Sequence, residues 1–502
     1  HAMGNSTGGF KEYWETARRY PKFQGGFIWD FADQALYWRD SAGTPFYAYG
    51  GDFNTYDASD NNFNCNGIFS PNRQPSPQVA EVAYFYQNIW VEPNNLQQGE
   101  ITVYNENFFR NLSDYQLNWA LLEDGKVMQI GTINTLDIAP QNSANIKLPI
   151  DIERYKGELF LNIDFELKNA ETLIPAGFIV AHRQFKIQNS QKSTISNFEG
   201  NALRINDKND SALEICNSTV TVTFDNSSGF LTSYVVNGRN LLGEGATIKP
   251  NFWRAVTDND MGARLQHKLA AWRNPILKRK SSAVFINTAD SKAGSTKKDA
   301  VVENIYSIPE VGAQLEISYC LKPDGSLHIR QQMKADTTAT IKQMLRFGMM
   351  MQLPADMQQC EYYGRGPIEN YSDRCESQNV GIHKSTVDNL TFAYMRPQET
   401  GTHTSIRWWK INNAEGHGVK IIADTALTMS ALNYDLSTLD EGTEKHQRHW
   451  HQLPKSQFTN LFIDAIQAGV GGVDSWSEWG QALPQYRVPY QDYKLDFWII
   501  PY

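Results

Sequence analysis

Apolar residues recur with helical spacing in two stretches near the start of the chain. The first predicts an amphipathic helix that Ser6 or Thr7 caps and that ends before Pro21. The second predicts a helix that opens at Ser76-Pro77, where a serine cap precedes a first-turn proline. The predicted apolar faces are Phe10, Tyr13, Trp14 and Ala17 in the first helix and Val79, Val82, Ala83, Tyr86 and Trp90 in the second.

A continuous apolar run, residues 25–28, lies between these helices and lacks the alternation of a half-exposed strand. Such a run between two helices predicts a buried strand of a parallel sheet that is covered on both faces. Trp29, Asp30 and Asp33 follow it, at the end of the strand where ligands bind in a barrel of parallel strands. Because a closed eight-stranded barrel needs about 250 residues, we expect residues 1–90 to be only the end of one.

The pattern changes beyond residue 90 from helical spacing to alternation, which predicts short strands separated by turns. Residues 91–190 have the length of an immunoglobulin-like sandwich and contain a predicted hairpin turn at Asp124-Gly125. A polar stretch without periodicity, 188–194, predicts a linker. The predicted fold class is therefore mainly β and multidomain.

The remaining residues, 191–502, continue with alternating strands and predict one large double-sheet domain. Hairpin turns are predicted within it at Asn237-Gly238 and around Asp324-Gly325. The polar run 290–299 predicts an exposed loop of the same domain.

Composition narrows the choice of partners and compartments. The net charge of -9 and the pI near 5.7 argue against a nucleic-acid partner, and the basic run 278–280 is expected to be a solvated face. No apolar run has the length of a membrane-spanning helix. The five cysteines are scattered without a CxxC spacing, so neither a disulfide framework nor a structural zinc site is indicated. No signal peptide is visible, and the choice between a cytoplasmic and a periplasmic location stays open.

Six short motifs are spread along nearly the whole chain. They are HAMGNS at 1–6, GGFIWD at 25–30, YGGDF at 49–53, FNCNG at 63–67, YGRGPIENY at 363–371 and GGVDSW at 471–476. In this order they resemble the carboxyl-terminal half of a large retaining β-galactosidase of glycoside hydrolase family 2. The resemblance implies the end of a (β/α)8 TIM barrel at 1–90, an immunoglobulin-like sandwich at 91–190 and a galactose-mutarotase-like supersandwich at 191–502.

The resemblance also implies where the catalytic groups lie. The family's nucleophile is a glutamate three positions before the histidine that matches His1, and its acid/base glutamate and magnesium ligands lie earlier still. Retaining hydrolysis needs both carboxylates, about 5–5.5 Å apart across the sugar. We therefore expect this chain to need an amino-terminal half of the same protein to hydrolyse terminal β-D-galactose residues of β-galactosides, and to be inactive alone.

Five residues match positions of the family that bind substrate: His1, Trp29, Phe63, Asn66 and Trp476. Sugars present hydroxyl groups and an apolar C–H face, so hydrogen-bonding groups and an aromatic platform suit them, and we expect Trp29, Phe63 and Trp476 to converge in one pocket. The resemblance makes the Phe63 carbonyl and Asn66 ligands of a sodium ion, which prefers oxygen ligands. The alternatives are a disordered terminus for His1 and core packing for each tryptophan.

Other polar residues near these motifs have two interpretations each. Asp30 and Asp33 could be proposed as a catalytic pair, but hydrogen bonding to loop backbone is the favoured interpretation. Asp60 lies near the Asn66 loop, and its role stays open. The segment after Gly262 resembles a mobile loop that closes over the site; the alternative is a polar turn.

Two further clusters are expected to be structural. His446, His449 and His451 have spacings that a metal site could use, but a polar strand edge is the favoured interpretation. Glu361 and Glu369 flank a turn rich in glycine and proline and are expected to pair with arginines.

Two other functions compete with a galactosidase. A non-catalytic carbohydrate-binding or mutarotase-like protein would have no use for a piece of a barrel, which disfavours it. Another family 2 enzyme, such as a glucuronidase or mannosidase, is disfavoured by the Trp476 motif and the long last domain. Linkage, aglycone and oligomeric state stay open, with a homo-oligomer among the options.

Overall fold

The computed structural model of the chain describes residues 1–189, 199–209, 211–287 and 299–502. Strands dominate these residues, in a small piece of helices and loops, a two-sheet sandwich and a large sheet. This arrangement confirms the predicted fold class. Residues 190–194 of the predicted linker and 290–298 of the predicted loop lie outside the described residues.

Residues 1–90, which we call the barrel piece, form two helices and one short hairpin joined by loops. The elements are α1 (Phe10–Arg19), β1 (Leu36–Arg39), β2 (Pro45–Ala48) and α2 (Gln78–Phe85). The predicted buried strand at 25–28 is wrong: across the described residues this segment pairs with no strand, and Phe27 is fully exposed. A parallel strand depends on neighbouring strands, and β1 and β2 pair only with each other.

The first predicted helix forms, but its predicted caps are wrong. Gly9 precedes α1 with a left-handed backbone (φ 76°) and provides no side-chain cap, so neither Ser6 nor Thr7 has that role. Both residues are buried instead, and the Ser6 carbonyl accepts a hydrogen bond of 2.5 Å from Nη1 of Arg374. A long-range contact thus replaces the local cap that the sequence predicts.

The second predicted helix also forms, but it is shorter than predicted and buries a different face. It ends at Phe85, and Trp90, which was assigned to it, lies in the next strand. The carboxylate of Glu81 is buried and accepts hydrogen bonds from the backbone of Glu376 and Ser377 in the last domain. Packing against that domain therefore selects a buried face different from the one predicted: Gln78, Glu81, Val82, Tyr84 and Phe85.

The next domain is a sandwich of two antiparallel sheets, as predicted. One sheet contains β3 (Ile89–Asn95), β4 (Glu100–Asn105) and β7 (Ser143–Lys147); the other contains β5 (Tyr115–Glu123), β6 (Lys126–Ile133), β8 (Leu159–Leu167) and β9 (Ile179–Gln188). Alternate residues of β5 and β8, such as Leu117, Trp119 and Ile163, point into one core between the sheets. This alternation is what the period-two pattern predicts.

The last domain, which we call the supersandwich, is built on a sheet that contains seventeen strands among the residues that the structure describes. Its strands are β10 (Arg204–Asn209), β11 (Ala212–Cys216), β12 (Val220–Asp225), β13 (Leu231–Val236), β14 (Arg239–Asn240), β15 (Ile248–Asn251), β16 (Lys278–Asn287), β17 (Asp299–Ile308), β18 (Ala313–Leu321), β19 (Leu327–Ala335), β21 (Arg346–Pro354), β22 (Gln359–Gly366), β23 (Asn379–Thr386), β24 (His403–Asn412), β25 (Gly418–Leu432), β26 (Phe458–Gln467) and β28 (Tyr493–Pro501).

Shorter elements complete this domain. A separate pair of strands and four short helices are β20 (Gln343–Met344), β27 (Val488–Pro489), α3 (Asp258–Gly262), α4 (Leu265–Lys268), α5 (Val387–Leu390) and α6 (Leu436–Leu439). Strand β28 closes the sheet by pairing with both β19 and β25. The large apolar core lies inside this closed arrangement.

The predicted hairpin turns are confirmed. Asp124-Gly125 joins β5 to β6 and Asn237-Gly238 joins β13 to β14, each with two left-handed residues, as a tight two-residue turn requires. Gly325, also left-handed, lies in the longer connection between β18 and β19. All five cysteines are free. None of the helices in the described segments has the length and hydrophobicity to cross a membrane.

The supersandwich holds the first residues of the barrel piece in a fixed place. Nδ2 of Asn5 donates to the Tyr371 hydroxyl over 2.9 Å and to the Glu399 carbonyl over 2.8 Å. The amide of Gly8 donates to the carbonyl of Gly471 over 2.6 Å. Residues 1–8 therefore lie beside the segment that carries Trp476.

Candidate functional site

Three aromatic rings from distant parts of the chain meet at one place. The ring centroid of His1 lies 5.4 Å from that of Phe63 and 5.2 Å from that of Trp476, and the last two are 5.8 Å apart. We call these three residues the ring cluster. Phe63 is 37% exposed and Trp476 is 59% exposed. Large apolar rings grouped at a surface are typical of a ligand-binding site.

Two side chains hold the imidazole of His1. Oγ of Ser475 lies 2.9 Å from Nδ1, and Nδ2 of Asn66 lies 3.2 Å from Nε2. Because the Asn66 amide nitrogen can only donate, Nε2 accepts, and Nδ1 carries the proton that is donated to Ser475. The ring is thus held in one orientation by contacts at both nitrogens.

Trp29 borders the ring cluster through its backbone. Its carbonyl accepts a hydrogen bond of 2.8 Å from the amide of Ala2, and the next amide, of Asp30, donates to the Asn66 carbonyl over 2.6 Å. Its indole is 61% exposed and makes no ring contact with the cluster in the described part of the chain. The structure therefore brings Phe63 and Trp476 together, with Trp29 beside them.

Asn66 has one oxygen that lacks a partner. The side chain is buried, and Nδ2 donates to the Phe63 carbonyl over 2.8 Å. Oδ1 is also buried and accepts no hydrogen bond from any residue that the structure describes. Since an unpaired buried acceptor costs free energy, this oxygen is available to a donor or a cation from outside the chain.

Helix α3 forms a close support for the Trp476 segment. Thr257 caps this helix by accepting a hydrogen bond from the amide of Asp260 over 3.1 Å. A Cβ atom on Gly262, the last residue of α3, would lie 2.3 Å from the Ser475 carbonyl oxygen and 2.8 Å from the Trp476 nitrogen. Only glycine therefore lets the two backbones approach this closely.

The segment after Gly262 is not a polar turn, and its closing over the site stays a prediction. It forms the short helix α4 and a following turn, with Leu265, Leu269 and Trp272 buried in the main core. These three apolar side chains attach the segment to the core of the supersandwich.

A buried ionic network lies beneath the site. Arg396 Nε lies 3.0 Å from an oxygen of Asp258, Lys445 lies 3.1 Å from the same oxygen, and Arg396 also binds Glu441. Burial alone would raise the pKa of Asp258, but Arg396 and Lys445 outweigh burial and hold the pKa of this carboxyl well below its usual value. The other Asp258 oxygen accepts from Nδ2 of Asn62 over 3.1 Å. The network thus reaches the residue before Phe63.

Asp30 and Asp33 hold the loop in shape, in agreement with the favoured interpretation. Oδ1 of Asp30 accepts from the amide of Ala32 over 2.9 Å, and Oδ2 accepts from the Gln34 side chain over 2.5 Å. Oδ1 of Asp33 accepts from the Gly67 amide over 2.9 Å, and burial raises the pKa of Asp33 to about 7. Both carboxylates are therefore engaged with their own loop.

Two of the three histidines, His449 and His451, join the barrel piece to the supersandwich. Nε2 of His449 lies 2.9 Å from Asp52, the rings of His449 and His451 stack at 5.6 Å, and His451 lies 3.5 Å from Asp40. The prediction of a strand edge is wrong, since His449 precedes a short turn of helix and His446 lies in a loop. Nowhere in the described residues do three His, Cys, Asp or Glu side chains form a group able to hold a metal.

The remaining predicted carboxylates are structural or exposed. Glu369 pairs with Arg374 over 2.9 Å, as expected, whereas Glu361 pairs with two lysines, Lys410 at 3.1 Å and Lys384 at 3.6 Å. The prediction of an arginine partner for Glu361 is therefore wrong. The side chain of Asp60 is exposed, and its carbonyl accepts from the Phe63 amide over 3.1 Å.

This arrangement can hold a polyhydroxylated ring. Aromatic faces of the ring cluster suit the apolar side of a sugar, while the Asn66 oxygen and the His1 ring suit hydroxyl groups. Two important residues were not predicted: Ser475, which orients His1, and Asp258, which links α3 to the Phe63 loop. Ser475 lies inside the GGVDSW motif, which could have drawn attention to it. Its partner His1 is 474 residues away, and no local pattern indicates that contact.

Comparison with known protein families divides the chain into three matched parts. Residues 1–91 match the family described as glycosyl hydrolases family 2, TIM barrel domain. Residues 101–188 match beta-galactosidase, domain 4, and residues 216–499 match the beta galactosidase small chain. The matches follow the same order as the three parts of the structure.

Curated relatives match nearly the whole chain. A protein named beta-galactosidase from Priestia megaterium is 32% identical over 97% of this chain, and one from Halalkalibacterium halodurans is 32% identical over 95%. Beta-galactosidase BgaC from Bifidobacterium adolescentis is 30% identical over 97%. The chain spans 46%, 45% and 45% of these relatives, which is about half of their length. By the match over 216–499, together with these relatives, the chain belongs to the beta galactosidase small chain family and corresponds to the carboxyl-terminal portion of a glycosyl hydrolase family 2 enzyme.

Proposed function

We propose that this chain forms the sugar-binding side of a retaining β-galactosidase active site, which acts on terminal non-reducing β-D-galactose residues. The observation that carries the proposal is the ring cluster, because three rings from residues 1, 63 and 476 meet with exposed faces at one site. The two catalytic glutamates and the magnesium ligands belong, by resemblance, to residues outside this chain. The amino-terminal part of the same protein is then the partner that completes the site.

Each substrate-binding residue has a role that its surroundings support. Trp476, and Trp29 beside it, present indole faces to the apolar side of galactose. The ring of Phe63 packs beside that of Trp476, with centroids 5.8 Å apart, and extends the same aromatic surface. His1, held in one orientation by Ser475, binds a sugar hydroxyl, with Asn66 next to it. We also propose domain boundaries at residues 90 and 190. With these boundaries, the substrate-binding residues lie in the first and last domains.

A sodium ion fits beside Asn66. The unpaired Oδ1 atom of Asn66 and the carbonyl oxygen of Phe63 are neighbouring oxygens, linked by the 2.8 Å hydrogen bond from Nδ2 to that carbonyl. Sodium binds oxygen ligands of this kind, as other hard cations do. When bound, the ion would supply a positive charge that attracts a sugar hydroxyl. These two residues would hold it from this side of the site.

Galactose binding tests the proposed function directly. Saturation-transfer NMR of the full chain with galactose should show transfer to the sugar protons, because the ring cluster is already assembled in this chain. Trp476→Ala should remove most of the transfer, while Trp479→Ala, a matched change at an indole that is 71% exposed and outside the cluster, should preserve it. Equal transfer in both variants would exclude the ring cluster as the sugar site.

A second experiment tests the ion. In the enzyme assembled with its amino-terminal half, Asn66→Ala should weaken the apparent affinity for sodium and raise KM for galactosides, since it removes one oxygen ligand. Asn64→Ala, in the same loop, is the matched control because the Asn64 side chain points to the Gln34 carbonyl instead. A sodium titration that is unchanged in Asn66→Ala would reject the ion site and leave the sugar site standing.

A further inference from the structure

A cavity of about 230 Å³ lies where the barrel piece, the sandwich and the supersandwich meet. We call it the junction cavity. Four cationic side chains and one carboxylate are among its lining residues: Arg183, Lys186, Arg365, Arg407 and Glu376. None of them belongs to the ring cluster or its supports. A wall with four cations is unusual, because like charges repel unless anions compensate them.

The carboxylates near the junction cavity are already shared. Arg407 binds Glu158 through two hydrogen bonds of 2.8 and 2.9 Å, and Lys186 lies 2.6 Å from the same carboxylate. Glu376, the carboxylate in the wall, pairs with Lys11 over 3.2 Å. Glu158 and Glu376 are therefore each paired with a lysine or arginine, and although the charge of Glu376 also acts on Arg183, neither carboxylate forms an ion pair with Arg183 or Arg365.

Arg183 and Arg365 form no ion pair with any residue that the structure describes. Nη1 of Arg365 donates to the carbonyls of Cys375 and Gln378 over 2.8 and 2.7 Å. Arg183 donates to the Tyr84 hydroxyl, and its Nε atom is buried without a partner. A buried donor of a charged group that lacks an acceptor is costly. Arg183 thus keeps a buried donor for which the described chain provides no acceptor, while Arg365 binds carbonyl oxygens and no carboxylate.

We propose that the junction cavity binds a small tetrahedral oxyanion of the phosphate or sulfate class between Arg183 and Arg365. The planar fork of arginine matches the oxygens of such an anion, and charge-assisted hydrogen bonds of this kind are short and strong. A neutral sugar would bring no negative charge to Arg183 and Arg365. Because Tyr84, Arg183 and Arg365 come from the barrel piece, the sandwich and the supersandwich in turn, the anion also stabilises the junction of the three.

Thermal unfolding of the full chain tests this site. Inorganic phosphate should raise Tm above the value in chloride of equal ionic strength, and the rise should follow mass action with phosphate concentration. Sulfate should do the same and should compete with phosphate in a calorimetric titration. A Tm that responds to ionic strength alone, with no difference between phosphate and chloride, would overturn the proposal.

Variants locate the anion. Arg183→Gln and Arg365→Gln should each weaken phosphate binding about tenfold or more, since each removes a charge-assisted hydrogen bond. Arg239→Gln, the same change at an exposed arginine of β14, should leave phosphate binding unaltered. If one of these two variants fails to fold, phosphate binding by the other variant tests the proposal. Phosphate binding that is unaltered in a folded cavity variant would show an adventitious ion only, bound elsewhere.

Discussion

The 502-residue chain, purified alone, is expected to show no turnover of a nitrophenyl β-galactoside above the uncatalysed rate. Retaining hydrolysis needs a nucleophilic carboxylate and an acid/base carboxyl about 5–5.5 Å apart across the sugar. The ring cluster supplies rings, Asn66 an amide and Ser475 a hydroxyl, while Asp30 and Asp33 are engaged with their own loop. Loss of proton transfer alone costs about 10²–10⁴-fold in rate, and the covalent route is lost as well.

Reassembly provides the positive control for this experiment. Addition of the amino-terminal half of the same protein should restore turnover, and a Glu-to-Gln change at the nucleophile of the added half should abolish it again. Steady turnover by the chain alone, with contaminating enzyme excluded, would contradict the proposed division of the active site. Asp30→Asn and Asp33→Asn would then be the variants to assay.

Replacement of Arg396 by methionine is expected to lower the free energy of unfolding by about 3–5 kcal/mol, the usual cost of breaking a buried ion pair. Arg396 lies between Asp258 and Glu441, and all three side chains are almost fully buried. The change would leave two buried carboxylates with Lys445 as the remaining cation near Asp258. The midpoint of urea unfolding measures the loss. Arg330→Met is the matched control, since Arg330 is 47% exposed and its pair with Asp496 is worth about 1 kcal/mol or less.

The pH dependence of the same variant gives an independent check. The pKa of Asp258 is lower in the folded chain than in the unfolded chain, so its ionisation contributes stability at neutral pH that is lost as the pH falls through the acidic range. Without Arg396 the folded pKa rises and this contribution shrinks. The difference in the free energy of unfolding between the variant and the unaltered chain should therefore become smaller as the pH falls from 7 towards 3. If the difference in the free energy of unfolding stays constant with pH, the lost stability comes from packing instead of from the charge of Asp258.

Periodicity predicted those parts of the fold that depend on local pattern. The alternation along β5 and the left-handed residues Asp124 and Gly125 produced the hairpin that the sequence indicates. The strand at 25–28 failed because a parallel strand depends on neighbours, and none pairs with it here. The cap of α1 failed for a related reason: Ser6 is bound by Arg374, 368 residues away, which no local signal reveals.

Prediction of the site depended on motifs rather than on pattern. Phe63 and Trp476 were singled out by their place in motifs, and the structure brings their rings to 5.8 Å. The support that α3 gives to the Trp476 segment was not predicted, because the need for glycine at position 262 arises from the backbone of Ser475 in another part of the chain. The His449 contact with Asp52 was likewise hidden, since it joins two domains.

The hydrogen bond between Ser475 and His1 has a consequence for biosynthesis. It joins residues 474 positions apart, and β28, which closes the sheet, is made later still. Chains fold in the order in which their domains leave the ribosome. A nascent chain therefore completes the strands of the sandwich, while the supersandwich stays open, before the ring cluster can assemble. Assembly of the proposed sugar site is then the last step for the growing polypeptide, and products of premature termination upstream of residue 471 would lack both Trp476 and the strand that closes the sheet.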